Sequence, residues 1–478
     1  MRLTFALLTY LVLTTSSLAS NGSLNKTQVF TSPNLVFILT DEQRYDTSAP
    51  YGNKIIKTPN LNMLAQEAVT FKRAYVTQPL CSPARASIMT GLYPQQNGVF
   101  SNKMPLSHDI QTLPELVGVA RYHAAYIGKW HLGDENKVVQ GFDERIGIED
   151  IYSAKDPNNN SDYHDFLLAK GYRPDHKFRA VFTRDFAASL PYEHSKSKFI
   201  ESQALKFLER NKAQPFILYL GFFAPHSPIN GPFNDLHNAS DITLNAAYEI
   251  ANEETNVVAD LKYLKDPIRT IQKYYGRVHQ VDKSVGAIRA KLAALGLADN
   301  TIIVYTSEHG NMLGERHSMF KNKMFDGAAR IPLFIKAPGI KSGIVATPVS
   351  QIDLVPTLLH LMGIDKPITL PGTSLFAKSS PQQKSVSPTA VFIQRARGTK
   401  KDSKTYELAY VNEDWKLMIN CENNKNNRLY QLKNDPFELL NRYENKKNIA
   451  IKEKMSKVIK RWTNKQKISC PALFSSVI

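Results

Sequence analysis

The stretch "PNLVFILTDEQ" (residues 33–43) is a continuous apolar run that ends in two acids. The stretch "TIIVYTSEHG" (301–310) has the same design, and "PFILYLGFFAPH" (215–226) is a third apolar run, which ends at a histidine. Such runs, rich in Val, Ile, Leu and Phe, predict strands that are buried on both faces. Helical patterns lie between them, over 58–71 and around 283–296. Strands that alternate with helices predict an α/β fold, with a mostly parallel sheet sandwiched by helices.

In such a sheet, ligands bind beyond the carboxyl ends of the strands, where the polar ends of these runs fall. Asp41 and Glu42 follow the first run, and Glu308 and His309 follow another. Two acidic strand ends at one edge would form an oxygen-rich pocket, whose carboxylates repel unless a cation or proton intervenes. A single acidic pair more often caps the following turn. Two pairs at the expected edge favour a hard divalent ion such as calcium.

The composition of the sequence changes near residue 380, where "SSPQQKSVSPT" is typical of a linker. Beyond it, short apolar segments suggest antiparallel strands, followed by a terminal helix near 447–464. We therefore predict a catalytic domain over 31–378 and a smaller C-terminal subdomain with an antiparallel sheet over 379–478. The polar stretch 150–200 is expected to be an insertion or a long surface loop near the site.

The chain is strongly basic, with 60 Lys and Arg against 43 Asp and Glu and a formal net charge of +17. This charge favours nucleic acid, an anionic membrane or a polyanionic substrate, although scattered lysines also fit a solvated surface. The stretch "MRLTFALLTYLVLTTSSLAS" (1–20) has the basic start, short apolar run and small residues of a secretory signal peptide. No other stretch has the length of a transmembrane helix. We expect a periplasmic or secreted protein without a membrane span.

The chain has three cysteines, so at least one thiol is left over or used in another way. Cys421 and Cys470 could pair in an exported protein, which would leave Cys81 alone. Pro83 fits the first turn of a helix, so Cys81 would lie at a helix N-terminus that favours an anion. Arg85 lies in the same turn. The site would also suit a cysteine nucleophile, although its usual partners are not evident from local spacing.

Three further stretches carry cations and proton donors. Lys129 and His131 lie two residues apart in "YIGKWHLG" and would share one face if that segment were extended. His226 lies between two prolines in "APHSP", and Lys321 lies in "FKNKMFDG". Taken singly, such residues are more often structural histidines or solvated lysines. Together they would supply cations and proton donors for a tetrahedral oxyanion.

In content and order, these stretches resemble the motifs of type I sulfatases, the formylglycine-dependent enzymes of the alkaline phosphatase superfamily. The segment "CSPAR" followed by "ASIMTG" matches the Cys-x-Pro-x-Arg signature of that family. The segments "LTDEQ", "GKWHLG", "GFDE", "APHSP", "SEHG", "MLGERH" and "LYQLKNDPFELLN" also resemble family elements and extend the likeness from about residue 33 to residue 441. The resemblance, which is closest to carbohydrate sulfatases, implies an alkaline-phosphatase-like fold.

The resemblance also implies a mechanism. A maturation enzyme would oxidise Cys81 to formylglycine, whose hydrate attacks sulfur and later expels sulfate. Arg85 resembles the arginine that holds the formylglycine, and Lys129 and His131 resemble the pair beside it, with His131 as the base. His226 and Lys321 resemble the groups at the ester oxygen, with His226 as the acid for the leaving group. One calcium ion would be held by Asp41, Glu42, the modified Cys81, Glu308 and His309.

The sequence therefore predicts an exported sulfatase that acts on a sulfated carbohydrate, such as ulvan or carrageenan or their oligosaccharides. An arylsulfatase and a glycosaminoglycan sulfatase are alternatives within the family. A phosphoester or phosphonate hydrolase on the same fold is an alternative of another class. So is a non-catalytic sulfoglycan-binding protein, if Cys81 stays unmodified. No nucleic-acid partner is expected.

Overall fold

The computed structural model describes residues 32–118, 121–137, 140–150, 159–250, 262–376, 391–397, 405–423 and 426–473. These residues belong to one compact unit, Ser32–Ile478. The predicted signal peptide (1–20) and the linker-like stretch near residue 380 lie outside the described residues. The proposed boundary between 31–378 and 379–478 falls in the same gap and stays a prediction.

The strands range from two to ten residues in length. Their bounds are β1 Asn34–Asp41, β2 Val69–Phe71, β3 Ala74–Tyr75, β4 His123–Gly128, β5 Glu144–Ile146, β6 Phe216–Pro225, β7 Thr301–Ser307, β8 Arg330–Ile331, β9 Leu333–Lys336, β10 Gly343–Val345, β11 Val349–Ser350, β12 Val391–Arg397, β13 Thr405–Val411, β14 Trp415–Asn420 and β15 Arg428–Gln431.

The helices of the described residues range from one turn to 28 residues. Their bounds are α1 Pro59–Glu67, α2 Cys81–Thr90, α3 Pro94–Asn97, α4 Leu113–Val117, α5 Asp162–Ala169, α6 Arg184–Ser189, α7 Lys196–Arg210, α8 Pro267–Ala294, α9 Asp326–Ala329, α10 Leu354–Leu361 and α11 Ile449–Gln466. None of these helices has the length and apolar character needed to cross a bilayer.

The large sheet has the strand order β10-β2-β9-β7-β1-β6-β4-β5. The three long apolar runs are its neighbouring central strands, because β1 pairs in parallel with both β6 and β7. Their carboxyl ends therefore meet at one edge, where Asp41 is in register with Pro225 and Thr40 with Ser307. Strand β9 runs antiparallel to its neighbours β7 and β2. The predicted mostly parallel α/β sheet is confirmed.

Both faces of the central strand are buried, as its continuous apolar run predicts. Phe37 and Leu39 face one core, which also contains residues of α2 and α10. Val36 and Ile38 face the other core, which contains residues of α7 and α8. Side chains alternate in this way because successive residues of a strand point to opposite faces. Each fully buried aliphatic or aromatic side chain contributes about 1.5–3 kcal/mol relative to exposure.

A separate antiparallel sheet of four strands, β12-β13-β14-β15, lies in the C-terminal part of the chain, as predicted. Helix α11, predicted near 447–464, packs on it through Met455, Ile459 and Trp462. A disulfide joins Cys421 to Cys470, the pairing that the sequence left open.

Two details of the predicted local structure differ. Of the two alternatives for the polar stretch 150–200, an insertion or a long surface loop, the loop is wrong, because its described residues contain α5, α6 and the start of α7; the insertion stays a prediction. Ser161, Thr183 and Ser195 begin these helices, and each side chain accepts a backbone N–H from the next turn. The helical pattern over 58–71 ends at α1, and its last residues form β2 because they pair with the sheet.

Candidate active site

The carboxyl edge of the large sheet gathers most of the residues predicted for a metal site. Asp41 ends β1 and Glu42 follows it with a positive φ of 66°. Glu308 and His309 follow β7, and their side chains are buried with that of Cys81. Asp41, Cys81, Glu308 and His309 each offer one ligand atom, and these four atoms lie within 4.8 Å of one another. Glu42 is not part of this group.

Cys81 is the first residue of α2, and its side chain is fully buried. Its Sγ lies 3.3 Å from Nε2 of His309. Burial opposes the charged form of His309, but the Cys81 sulfur and Glu308 raise its pKa to about 10. Helix α2 therefore presents Cys81 to the ligand group at the end of β7, as its place at a helix N-terminus predicted.

Arg85, one turn into α2, joins three of the elements that meet here. Its Nη1 donates to the backbone carbonyl of Lys129 at 2.6 Å, and its Nε contacts Glu308. Its Nη2 lies 3.8 Å from Oδ2 of Asp41. Burial disfavours the guanidinium charge, yet Glu308 holds the pKa of Arg85 above its ordinary value. Arg85 therefore neutralises carboxylates at the site and fixes the main chain before His131.

Lys129 points at the first acid of the site, and its Nζ donates to Oδ2 of Asp41 at 2.6 Å. Burial works against its charge, but Asp41 raises the pKa of Lys129. The expectation that Lys129 and His131 share a face of an extended segment is wrong. Strand β4 ends before Lys129, and His131 has a positive φ of 60°. The turn is held by Glu135, which accepts the backbone N–H groups of Trp130 and His131 at 2.8 Å each.

His131 lies in a dry, cationic environment. Burial and the charge of Lys129 lower the pKa of His131, which keeps its imidazole neutral. Its backbone carbonyl accepts a hydrogen bond from Oγ of Ser82 at 2.7 Å, which ties the turn to α2. A neutral imidazole held in this way can accept a proton.

His226 and Lys321 contact each other in a second group of side chains. The Lys321 Nζ lies 3.1 Å from Nε2 of His226 and contacts Oε1 of Glu42. Asp41, Glu42 and His226 form a further set of ligand atoms within 4.8 Å of one another. Burial and Lys321 lower the pKa of His226, whereas Glu42 and the Cys81 sulfur outweigh burial and raise that of Lys321.

Sequence reasoning missed two residues of this network. Asn311 donates to Oε2 of Glu42 at 3.0 Å, so that both carboxylate oxygens of Glu42 are engaged by side chains. Glu135 holds the turn of His131. Asn311 lies three residues beyond Glu308, and Glu135 lies four beyond His131, so short-range spacing was the available signal for both.

The residues at the edge of the sheet fit a hard divalent cation. Asp41 and Glu308 supply buried carboxylate oxygens, the ligand type that calcium prefers. Oδ1 of Asp41 is buried and has no hydrogen-bond partner among the described residues, although burial of an unpaired charged oxygen is costly. A bound cation would satisfy that oxygen.

Known protein families match two overlapping parts of the chain. The family described as Sulfatase matches residues 33–364, and the family described as N-sulphoglucosamine sulphohydrolase, C-terminal, matches residues 314–465. The chain belongs to the sulfatase family. This sulfatase is thus a sulfuric ester hydrolase with the alkaline-phosphatase-like fold that its sequence predicted.

The similarities extend over most of the chain. This sulfatase is 30% identical to an ulvan-active sulfatase of Formosa agariphila over 355 residues, which cover 72% of this chain and 64% of the relative. A protein solved in complex with its substrate D-glucosamine-2-N,6-O-disulfate shares the fold with a TM-score of 0.75 at 23% identity, over 92% of this chain and 99% of that one. A phosphonate monoester hydrolase of Agrobacterium radiobacter also has a TM-score of 0.75, at 22% identity, over 91% of this chain and 96% of that one.

Proposed function

We propose that this sulfatase hydrolyses sulfate esters of a sulfated carbohydrate, with a formylglycine made from Cys81 and one calcium ion. The placement of Cys81 carries the proposal. It is buried at the start of α2, and its sulfur lies among the ligand atoms of Asp41, Glu308 and His309. A structural cysteine needs no such surroundings.

The ligand group indicates which residues would hold the ion: Asp41, the modified Cys81, Glu308 and His309, with Glu42 next to them. When present, the ion would withdraw charge from the sulfate oxygens, and the hydrated formylglycine would supply the attacking hydroxyl. Arg85 and Lys129 are buried, charged and fixed by hydrogen bonds. Fixed cations in a dry site stabilise negative charge that develops on sulfate without having to reorganise.

The His226–Lys321 pair would handle the proton of the leaving alcohol. Nδ1 of His226 lies 2.6 Å from the carbonyl oxygen of Ser227, which can only accept, so Nδ1 carries the proton. Nε2 is then an acceptor, and it faces the ammonium group of Lys321. The pair therefore shares one transferable proton, whose source is Lys321. This adds a role for Lys321 to the expectation that His226 is the acid for the leaving group.

The substrate class rests on the relatives and on charge. One relative is named for activity on ulvan, and the C-terminal family is named for a sulphoglucosamine sulphohydrolase. The net charge of +17 suits a polyanionic glycan. The fold is also that of a phosphonate monoester hydrolase, which makes phosphonate the rival substrate class to test.

The test is hydrolysis of matched esters by protein produced with a formylglycine-generating enzyme. The panel contains 4-nitrophenyl sulfate, 4-nitrophenyl phosphate, a phenylphosphonate monoester and sulfated oligosaccharides from ulvan, carrageenan and glycosaminoglycans. We expect sulfate esters to be the best substrates and Cys81→Ala to lower kcat by at least about a thousandfold, as loss of a nucleophile does. Faster turnover of the phosphonate, or full activity of Cys81→Ala, would contradict the proposal.

We also infer that the protein is exported, to the periplasm or beyond the cell. The sequence of residues 1–20 and the disulfide between Cys421 and Cys470 support this inference, because disulfides persist in oxidising compartments. Fractionation of the native host tests it. Protein found in the cytosol with its first twenty residues intact would contradict it.

A further inference from the structure

A cleft lies beside the His226–Lys321 pair, outside the ligand group at the sheet edge. Its volume is about 240 Å³, whereas a single water needs only about 10–15 Å³. The cleft is therefore large enough for a sulfate or carboxylate group together with sugar atoms that carry it. Neither the predicted ligand set nor the proposed reaction uses the residues of its wall.

Two residues of the wall connect the cleft to the candidate active site. Pro228 follows His226 by two residues along the chain. The ring of Tyr263 lies edge-on to that of Phe320, with 5.5 Å between the centroids, and Phe320 directly precedes Lys321. Because His226 and Lys321 are the proposed groups at the leaving alcohol, the rest of the glycan would extend toward this cleft.

The charge of the active site also reaches the wall of the cleft. Burial raises the pKa of Tyr263, and the carboxylates of Asp185 and Glu42 raise it further. Glu42 is the acid that contacts Lys321. The same carboxylate therefore acts on the hydroxyl of Tyr263 and on the proton source of the proposed reaction.

Charged side chains make up half of the wall. They are four cations and one carboxylate: Lys262, Lys265, Arg269, Lys273 and Asp266. Arg269 forms an ion pair with Asp235, and Asp266 accepts the backbone N–H of Arg269 at 2.9 Å. Among the described residues, no carboxylate forms an ion pair with any of the three lysines. The ammonium groups of these lysines are therefore available to an anionic ligand.

The cations are placed unfavourably for the helix itself. Arg269 and Lys273 are four residues apart on α8, a spacing at which like charges repel. Lys265 and Arg269 lie at the start of this helix, whose positive dipole end disfavours cations, and its first turn contains no acid. Asp235 and Asp266 offset only part of this repulsion. A bound anion would offset more of it, whereas solvated lysines need not converge on one cleft.

We propose that this cleft binds a second anionic group, a sulfate or a carboxylate, on a sugar next to the one whose sulfate ester lies over Cys81. The inference rests on the proposed function and narrows it, because the preferred substrate becomes a polyanionic oligosaccharide. Lys265 and Lys273 would attract the second anion, and Tyr263 would contact the sugar that carries it. Lysines act as flexible point charges, so the cleft selects charge rather than one anion geometry. It takes no part in the chemical step.

The test measures binding to the Cys81→Ala protein in excess Ca²⁺, so that saccharides bind without being hydrolysed. Calorimetry compares a sulfated rhamnose–uronate disaccharide with the same disaccharide after its carboxylate is reduced to an alcohol. It also compares carrageenan disaccharides that carry two sulfates and one sulfate. The two pairs separate carboxylate from sulfate as the second anion. Exposed ion pairs predict that the doubly charged member binds about threefold to tenfold more tightly at low ionic strength.

Lys265→Gln combined with Lys273→Gln should bring this affinity ratio close to one, whereas arginine at both positions keeps the charges and should retain it. Lys454→Gln combined with Lys457→Gln is the matched control. These two lysines are exposed on α11 and lie outside the cleft, so the net charge changes equally and the ratio should stay high. Thermal unfolding shows whether each variant folds. Lys262→Gln with Lys265→Gln replaces the first pair if that variant does not fold.

The outcomes separate the two proposals. If the wild type hydrolyses no sulfate ester, the proposed function fails, and the binding ratio still decides whether the cleft takes a second anion. If sulfate esters are hydrolysed but the ratio is close to one for both pairs, or the doubly charged members do not bind, only the second site fails. A ratio that falls equally in the control, or that the cleft variants leave unchanged, would also contradict the site. A high ratio that falls only in the glutamine variants of the cleft would support it.

Discussion

Glu135 shows how one buried carboxylate can position a residue of the site. It accepts the two backbone N–H groups of the turn that carries His131, whose positive φ is unfavourable for a residue other than glycine. We predict that Glu135→Gln lowers stability by about 1.5–3 kcal/mol. One charge-assisted hydrogen bond is lost, and the amide N–H of the new glutamine faces a backbone N–H where an acceptor is needed. We expect kcat to fall about tenfold with KM little changed, because misplacement of a catalytic group slows the chemical step.

The neighbouring Asp134 provides the control, since it is exposed and its replacement by Asn makes the same chemical change. Steady-state kinetics and thermal unfolding of both variants make the comparison. Equal behaviour of Glu135→Gln and Asp134→Asn would show that the buried carboxylate does not position His131.

For single residues of the site, the residue types could be predicted from the sequence, but the contacts between them could not. The place of Cys81 at a helix N-terminus follows from Pro83 two residues later. That Arg85 contacts Glu308, and that Nζ of Lys321 lies 3.1 Å from Nε2 of His226, depends on elements far apart in the chain. No local spacing contains this information.

The strands that build the site were the most predictable elements. Strands β1, β6 and β7 lie side by side because each is apolar on both faces, and only the centre of a covered sheet buries both. The stretch 150–200 was predicted to be an insertion or a long surface loop because its composition is polar. Its helices depend on side-chain caps at Ser161, Thr183 and Ser195, which composition does not reveal.

The disulfide between Cys421 and Cys470 should stabilise the C-terminal sheet. It closes a loop with a sequence separation of 49 residues. The chain-entropy model gives about 4 kcal/mol for a loop of this length. We predict that replacing both cysteines by serine lowers the free energy of unfolding of this part by that amount. Trp462, which stacks on Phe392 in the same core, reports it by fluorescence in urea.

Cys81→Ala serves as the control, because it removes the thiol that lies outside the bridge. With a chelator present in both samples, so that loss of a calcium ligand has no effect, it should unfold at nearly the wild-type urea concentration. Unchanged stability of the double serine variant would mean that the bridge does not restrain the unfolded chain.

A buried ion group joins β14 to the start of α9 and should respond to pH. Lys416 of β14 lies 2.5 Å from Oδ1 of Asp326 and 2.7 Å from Oε1 of Glu438. Burial raises the pKa of Glu438 from 4.5 to about 7, although Lys416 opposes the shift. Between these values the folded protein holds a proton that the unfolded chain has released. Stability contributed by this group is therefore present at low pH and is lost as pH rises toward 7.

We predict that Glu438→Gln removes about 1–3 kcal/mol of this pH dependence between pH 5 and 7. Urea unfolding at several pH values measures it. Glu444→Gln, at an exposed position, should keep the wild-type profile. If wild type and Glu438→Gln have parallel profiles, Glu438 does not hold the proton.

Over the whole molecule, the sequence predicted the class of fold and the family. It could not predict which distant cations pack together around Phe223. Arg184, Lys196 and Arg277 lie on three different helices and carry no shared spacing. Only the packing of α6, α7 and α8 around Phe223 brings them together, so this cluster is a property of the folded chain.

The metal should stabilise the whole protein as well as support its activity. A ligand that binds only the folded state adds about 2.7 kcal/mol at a hundred times its Kd. We predict that a chelator lowers both Tm and kcat, and that Ca²⁺ restores them better than Mg²⁺, which demands a stricter geometry. Asp41→Asn, which alters a residue of the ligand group, should reduce the Tm gain on adding calcium. A Tm and kcat unaffected by the chelator would contradict the metal site.

The central claim is that Cys81 is the precursor of the nucleophile, and peptide mass spectrometry tests it most directly. Cleavage after arginine releases residues 74–85 as "AYVTQPLCSPAR". In protein purified from its native host, this peptide should have the mass expected when the thiol of Cys81 is replaced by an aldehyde, and it should react with a hydrazine probe. A peptide that keeps an intact cysteine in an active preparation would contradict the account.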